Sequence, residues 1–185
     1  MATDPQPGEL PVPEAAALPR RIVLTGFMGS GKSTVGPKLA SRLGWRFLDV
    51  DAVIEAEAGI SIAQLFALHG EPAFRDLEYA TTVALAAEDG LVLALGGGAI
   101  EREDTRALLL TTPGTLLIHL EIELATTLRR CAGSEGSRPV LADQANLAAR
   151  YARRLPLYRT AHLSIPVDSL TPAQVVDAIY CAANF

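Results

Sequence analysis

The run Gly26-Phe27-Met28-Gly29-Ser30-Gly31-Lys32-Ser33 has the form G-x-x-x-x-G-K-[ST], a loop built to hold phosphate. It follows a short apolar run, Ile22 to Leu24, and precedes a stretch of helical spacing, Val35 to Leu43. Glycines at 26, 29 and 31 let the backbone turn its N–H groups inward, and the positive end of the following helix adds to the attraction. Gly29, Ser30, Gly31, Lys32, Ser33 and Thr34 form the expected nucleotide-binding set. Lys32 is expected to reach the β- and γ-phosphates, and the Ser33 hydroxyl to bind Mg²⁺. The chain has only two lysines, Lys32 and Lys38, and neither follows Asn, so the guanine-reading N-K-x-D is excluded. With no D-x-x-G either, the pattern favours an adenine nucleotide and a second substrate that receives the phosphoryl group.

Candidate groups for that second substrate follow in chain order. Phe47-Leu48-Asp49-Val50-Asp51 ends a strand candidate with two carboxylates two positions apart. On an extended chain both would project to one side, one to hold Mg²⁺ and the other to accept or orient a hydroxyl proton. An alternative is an acidic turn with Asp51 capping a helix. Arg75 and Glu78 share a helical face, where the carboxylate can steady the guanidinium as a fork for an anionic ligand; a surface salt bridge is the other reading. Gly96-Gly97-Gly98 closes a strand with a backbone that a ligand can approach closely, or with a plain tight turn. Arg129 and Arg130 lead into Gly133, Gly136, Arg138 and Pro139, a composition suited to a lid that carries positive charge to a transferring phosphoryl group. Arg153-Arg154-Leu155-Pro156-Leu157-Tyr158 ends a helical stretch, where arginine would also complement the helix dipole.

These groups need a frame, and the apolar runs supply one. Ile22 to Leu24, Phe47 to Val50, Leu91 to Leu95, Thr115 to Leu120 and Leu163 to Val167 are strand candidates, with helical stretches between them. The alternation predicts an α/β chain with a parallel sheet covered on both faces. Ser61 with Gln64 and Thr171 with Gln174 are capping boxes, and Pro72 marks the first turn of a helix running to about Glu88. Pro37 should delete one helical hydrogen bond and kink its helix. Residues 1–20 hold Pro5, Pro7, Pro11, Pro13 and Pro19 without apolar periodicity, so a disordered leader is expected before a single domain at 21–185.

With 185 residues, of which 49% are hydrophobic, the chain can bury a core without disulfides or metal clips. Cys131 and Cys181 have no spacing partners, which predicts a reducing compartment and a cytoplasmic protein. A net charge of −5 argues against nucleic-acid binding, and no apolar run reaches the length of a membrane span. The expected partners are small molecules, and the expected state is a monomer.

The motifs G-F-M-G-S-G-K-S-T-V-G at Gly26 to Gly36, F-L-D-V-D at Phe47 to Asp51, F-R-D-L-E at Phe74 to Glu78, L-G-G-G-A at Leu95 to Ala99, R-P-V-L at Arg138 to Leu141 and R-x-P-L-Y at Arg154 to Tyr158 together resemble the shikimate kinases. The resemblance spans 21–185. It implies the three-layer P-loop kinase fold seen also in nucleoside monophosphate kinases, with a five-stranded parallel sheet in the order 2-3-1-4-5 and a lid around 132–141. It implies ATP- and Mg²⁺-dependent phosphorylation of the 3-hydroxyl of shikimate, on the route to chorismate and the aromatic amino acids. By the same resemblance Ser33 and Asp49 hold Mg²⁺, and Asp51 contacts the shikimate hydroxyls as the candidate base. Arg75 and Arg154 grip the substrate carboxylate, with Glu78 steadying Arg75. Gly97 and Gly98 give backbone contacts, while Phe66 and Phe74 line the pocket. Arg138 is the lid residue touching phosphates and shikimate, and Arg130, or Arg129 in its place, flanks adenine. The catalytic set is then Lys32, Asp51 and Arg138. A related small-metabolite kinase, such as a gluconate kinase, and a non-catalytic ATP-binding module are the alternatives.

Overall fold

The structure, a computed structural model, describes residues 18–132 and 144–185, with only the backbone described at 144 and 145. Arg138 and nearly all of the expected lid, together with the leader up to residue 17, lie outside the described residues. Five strands, β1 (Arg21–Thr25), β2 (Arg46–Asp49), β3 (Leu91–Ala94), β4 (Thr115–Glu121) and β5 (Leu163–Pro166), form one sheet in the order β2-β3-β1-β4-β5. Every strand pair is parallel, as the expected order requires. Parallel neighbours need long crossovers, and helices α1 (Lys32–Leu43), α2 (Val50–Ala58), α3 (Ile62–Leu85), α4 (Glu103–Thr111), α5 (Leu124–Cys131) and α6 (Gln144–Tyr158) occupy them, while α7 (Pro172–Ala182) follows the last strand. Right-handed crossovers put α1 on one face, where α7 packs against it, and α3 and α4, which touch each other, on the other.

β1 and β3 are buried along their whole length, so Ile22 to Leu24 and Leu91 to Ala94 read as unbroken apolar runs rather than alternating ones. Register then decides where the chemistry falls. Leu24 lies beside Ala94 and Ile118, Thr25 beside His119, and Asp49 beside Ala94. The carboxyl ends of four strands are therefore level, and the loops after β1, β2 and β3 open at one edge. The chain leaves β1 towards β2 on one side and later crosses to β4 on the other, which makes this edge the switch point where open α/β sheets bind ligands.

Local signals shape the elements. Both capping boxes form: Ser61 Oγ accepts from Gln64 N (3.3 Å) while Ser61 N donates to Gln64 Oε1 (2.9 Å), and Thr171 with Gln174 repeats the pattern. α3 runs from Ile62 through a break at Gly70 (φ 78°, ψ 169°), so Pro72 does stand in the first turn of its second half, which ends at Leu85. α1 runs from Lys32 through Pro37 to Leu43 with no non-helical residue inside it, so the proline does not break the helix. One expectation is corrected. β2 stops at Asp49 and Val50 is already helical, so Asp49 and Asp51 do not share an extended strand; Asp49, not Asp51, is the N-cap of α2. Val50 is fully buried, and sinking it into the core turns the chain there. Gly36 lets α1 lie directly on β2, since a Cβ at this position would stand 2.7 Å from Phe47 Cδ2.

Candidate active site

The phosphate loop follows from backbone conformation. Gly26, Gly29 and Gly31 all have positive φ (143°, 77° and 98°), which other residues rarely adopt. Gly31 caps α1, and its carbonyl accepts from Val35 N at 2.8 Å. Lys32 Nζ donates to Gly26 O at 2.7 Å, which holds the ammonium over the loop. Ser33 Oγ donates to Asp49 Oδ2 at 3.2 Å, and Asp49 Oδ1 accepts from Asp51 N at 3.1 Å. A hydroxyl and a carboxylate, both hard oxygen donors, thus meet at the mouth of the loop. Among the described residues no group of three or more His, Cys, Asp or Glu side chains could hold a metal. Mg²⁺ held through substrate phosphates needs only one or two protein oxygens, so this pair fits it.

Asp51 lies in the first turn of α2 and faces the same space. Its Oδ1 is buried without a hydrogen-bond partner among the described residues. Burial, then the charge of Asp49, pushes its pKa up to about 6, against the pull of Lys32 and Arg75. The three glycines after β3 each answer to a different neighbour. A Cβ on Gly96 would lie 2.6 Å from Glu78 Oε1 and 2.7 Å from Asp51 Oδ1. One on Gly98 would lie 2.7 Å from Arg75 Cζ, and Gly97 O accepts from Tyr158 OH at 2.6 Å. The turn is glycine because side chains converge on it from α2, α3 and α6.

Arg75 and Glu78 form no surface pair: Glu78 is 2% exposed, and its Oε2 accepts from Arg75 Nη1 at 2.7 Å. Burial pushes the Glu78 carboxyl up, and Arg75 opposes this. Glu71 accepts from Arg75 Nη2 at 2.9 Å on the outer side. Arg154 is buried; its Nε donates to Glu101 Oε2 at 2.9 Å, and its Nη2 lies in ion-pair contact with the same oxygen at 2.8 Å. Phe66 and Phe74 pack with ring centroids 4.8 Å apart, and the Arg75 guanidinium lies 5.2 Å from the Phe74 centroid. Lys32, Ser33, Asp49, Asp51, Arg75 and Arg154, with these two rings and Gly96 to Gly98, line one cavity of about 910 Å³. A phosphate loop at one end and two arginines at the other suit a triphosphate donor and a small anionic acceptor carrying hydroxyls.

A second cavity, of about 280 Å³, lies beyond the loop between Thr34 and the Val167 to Val175 segment. Arg130 borders both spaces, donating to Gly29 O at 3.2 Å and to Val167 O at 2.7 Å. Arg129 borders neither and donates to Thr126 Oγ1, so Arg130 is the arginine beside the loop. Ser30 and Thr34 line this smaller space with Pro172.

Two neighbours of the site, Glu71 and Glu101, go beyond the residues that sequence reasoning singled out, and Gly96 and Tyr158, which stood only within motifs, gain specific contacts. Glu71 had a signal, standing four positions before Arg75 on the same helix. Tyr158 had one too, four positions after Arg154. Glu101 had none, since it reaches Arg154 across 53 positions of sequence.

The family model for shikimate kinase matches residues 28–183. The shikimate kinase of Salinibacter ruber is 41% identical over 168 residues, covering 85% of this chain and 81% of that protein. That of Mycobacterium marinum is 42% identical over 160 residues, covering 84% and 85%. The solved structure of the shikimate kinase from Acinetobacter baumannii in complex with shikimate superposes with a TM-score of 0.82 at 34% identity, covering 90% of this chain and 93% of that one. A gluconokinase from Sinorhizobium meliloti, at 18% identity and a TM-score of 0.55, shares the fold.

Proposed function

The chain belongs to the shikimate kinase family, and from that premise we propose that it transfers the γ-phosphoryl group of ATP to the 3-hydroxyl of shikimate, giving shikimate 3-phosphate and ADP for the synthesis of chorismate and the aromatic amino acids. The observation that carries the reading is the meeting of Asp51 with Arg75 and Arg154 around Gly96 to Gly98, in the cavity that begins at the phosphate loop. Shikimate is a small carboxylate with three hydroxyls, so it needs a guanidinium grip at one end and a proton acceptor at the other.

In this reading the loop amides from Gly29 to Thr34 cradle the phosphates, and Lys32 turns from Gly26 O towards the transferred group. Ser33 and Asp49 would hold Mg²⁺, which when bound neutralises charge on the nucleotide. Asp51 takes the proton as the acceptor oxygen bonds to phosphorus and the bond from phosphorus to the bridging oxygen of ADP breaks. Arg75, fixed by Glu78, and Arg154 hold the carboxylate so that the hydroxyl stays aligned. Phe66 and Phe74 shield the ring, and Gly97 and Gly98 admit it close to the backbone. Arg130 flanks adenine at the smaller cavity, and Arg138 closes onto the phosphates from the lid. A cytoplasmic monomer that takes no nucleic acid completes the proposal; the acidic balance of charge supports the last of these. Among the described residues no helix is long and apolar enough to cross a membrane.

ADP release with ATP and Mg²⁺ is the test, comparing shikimate, gluconate, nucleoside monophosphates and no acceptor. Turnover with shikimate alone is expected. Turnover with gluconate instead would reassign Arg75 and Arg154, and no turnover with any acceptor would leave a nucleotide-binding module.

A further inference from the structure

Glu101 ends the short 3-10 turn Ala99–Glu101 that follows the three glycines, and its carboxylate borders the large cavity. One oxygen, Oε2, accepts from Nε of Arg154 and is in ion-pair contact with its Nη2 at 2.8 Å; the other, Oε1, accepts from Arg153 Nε at 2.6 Å. A guanidinium offers a carboxylate two usable edges, a side edge through Nε and an end through its two terminal nitrogens. Glu101 fills the side edge of Arg154. The remaining nitrogen, Nη1, is turned to the glycine turn, 3.6 Å from where a Cβ of Gly97 would stand.

Resting on the shikimate kinase reading above, we infer that Glu101 is a positioning residue for Arg154, fixing that guanidinium so that its end, and not its side, meets the acceptor's carboxylate. Three observations carry the inference together. Arg154 is 7% exposed, and a guanidinium buried that far is costly without a counter-charge. Its long side chain has many rotamers, and a hydrogen bond plus an ion-pair contact to one oxygen select among them. A second carboxylate so near an anionic acceptor would repel it if it stood alone, but Arg153 shares the same group, so the trio keeps a net positive charge. Burial opposes the charge on Glu101, yet the hydrogen bonds from Arg153 and Arg154 outweigh it and hold the carboxyl below its usual range. It is therefore an anion at neutral pH, as the clamp requires.

The test compares the parent enzyme with Glu101→Ala, Glu101→Gln and Arg153→Ala by steady-state kinetics, calorimetric titration with shikimate, and thermal unfolding. Glu101→Ala is expected to raise the KM for shikimate, and its dissociation constant, about tenfold or more, with kcat and the KM for ATP within about twofold of the parent. Glu101→Gln should recover part of the loss, because its amide oxygen still accepts from Arg154, and Arg153→Ala should fall between parent and Glu101→Ala. An unchanged or lower KM for shikimate in Glu101→Ala would overturn the inference, the lower value marking Glu101 as a competitor for Arg154. A drop in thermal stability with no selective rise in that KM would overturn it too, reducing Glu101 to a tie between the turn and α6. Each of these presumes a parent active on shikimate; a parent inactive on it would take down the activity reading and this inference together.

Discussion

Asp51 sits between opposing influences: burial and Asp49 favour its neutral form, Lys32 and Arg75 its charged one. A general base works best when its pKa lies near the working pH, and a carboxyl raised to about 6 is a better proton acceptor than a solvated aspartate. With no hydrogen-bond partner among the described residues, Oδ1 would keep a lone pair for the acceptor hydroxyl in the proposed reaction. Since the carboxylate must be ionised to take the proton, kcat/KM for shikimate should fall about tenfold per pH unit below about 6, because that ratio reports the free enzyme. Asp51→Asn should lose about 100-fold or more in kcat while still binding ATP. A pH–rate profile with a nucleotide titration checks both, and an acid limb that persists in Asp51→Asn would assign it to another group.

At the scale of elements, two glycines separate the demands of the frame from those of the site. Gly36 lets α1 rest on the Phe47 ring of β2, away from the cavity lining. Gly36→Ala should therefore cost about 1–3 kcal/mol of stability by overpacking, with both KM values kept. Gly96 stands between the carboxylate oxygens of Glu78 and Asp51, so Gly96→Ala should depress kcat/KM for shikimate far more than it lowers Tm. Kinetics and thermal melts on the two variants should cross, and parallel losses would show that the turn after β3 is only structural. The same contrast explains what the sequence could tell. The phosphate loop, the strands and the capping boxes are local patterns, where a few adjacent residues determine the backbone, and all of them form. The turn of the chain at Val50 was hidden because a β-branched residue after a strand reads as more strand; only burial in the core makes it helical. Glu101 and Gly96 acquire their partners through sheet register and helix packing, which no short window contains.

At the scale of the whole molecule, the core and the site share a wall. His119 lies on β4 beside the end of β1, is 1% exposed, and stacks on Tyr158 with centroids 5.2 Å apart and ring planes 18° apart. Tyr158 in turn holds Gly97 O, so one stack links the middle of the sheet to the acceptor turn. Burial pushes the His119 pKa down to about 4; Glu121 pulls it up, and Arg159 and Lys32 push it further down. Its folded value thus lies below the unfolded value of about 6.5, so the unfolded chain binds the proton more readily. That contribution to stability is complete above about pH 6.5 and is lost as pH falls towards 4. Asp51 has the opposite sign, because its folded pKa is raised from 3.8 to about 6, and it adds stability as pH falls through that window. The two offset each other in the parent, so their effects become visible only when one is removed. His119→Phe keeps an aromatic ring against Tyr158 but cannot titrate, so its Tm should improve relative to the parent as pH is lowered from 7 to 5. Thermal melts across that range check it, and a constant difference between the two proteins would mean that His119 does not titrate with unfolding.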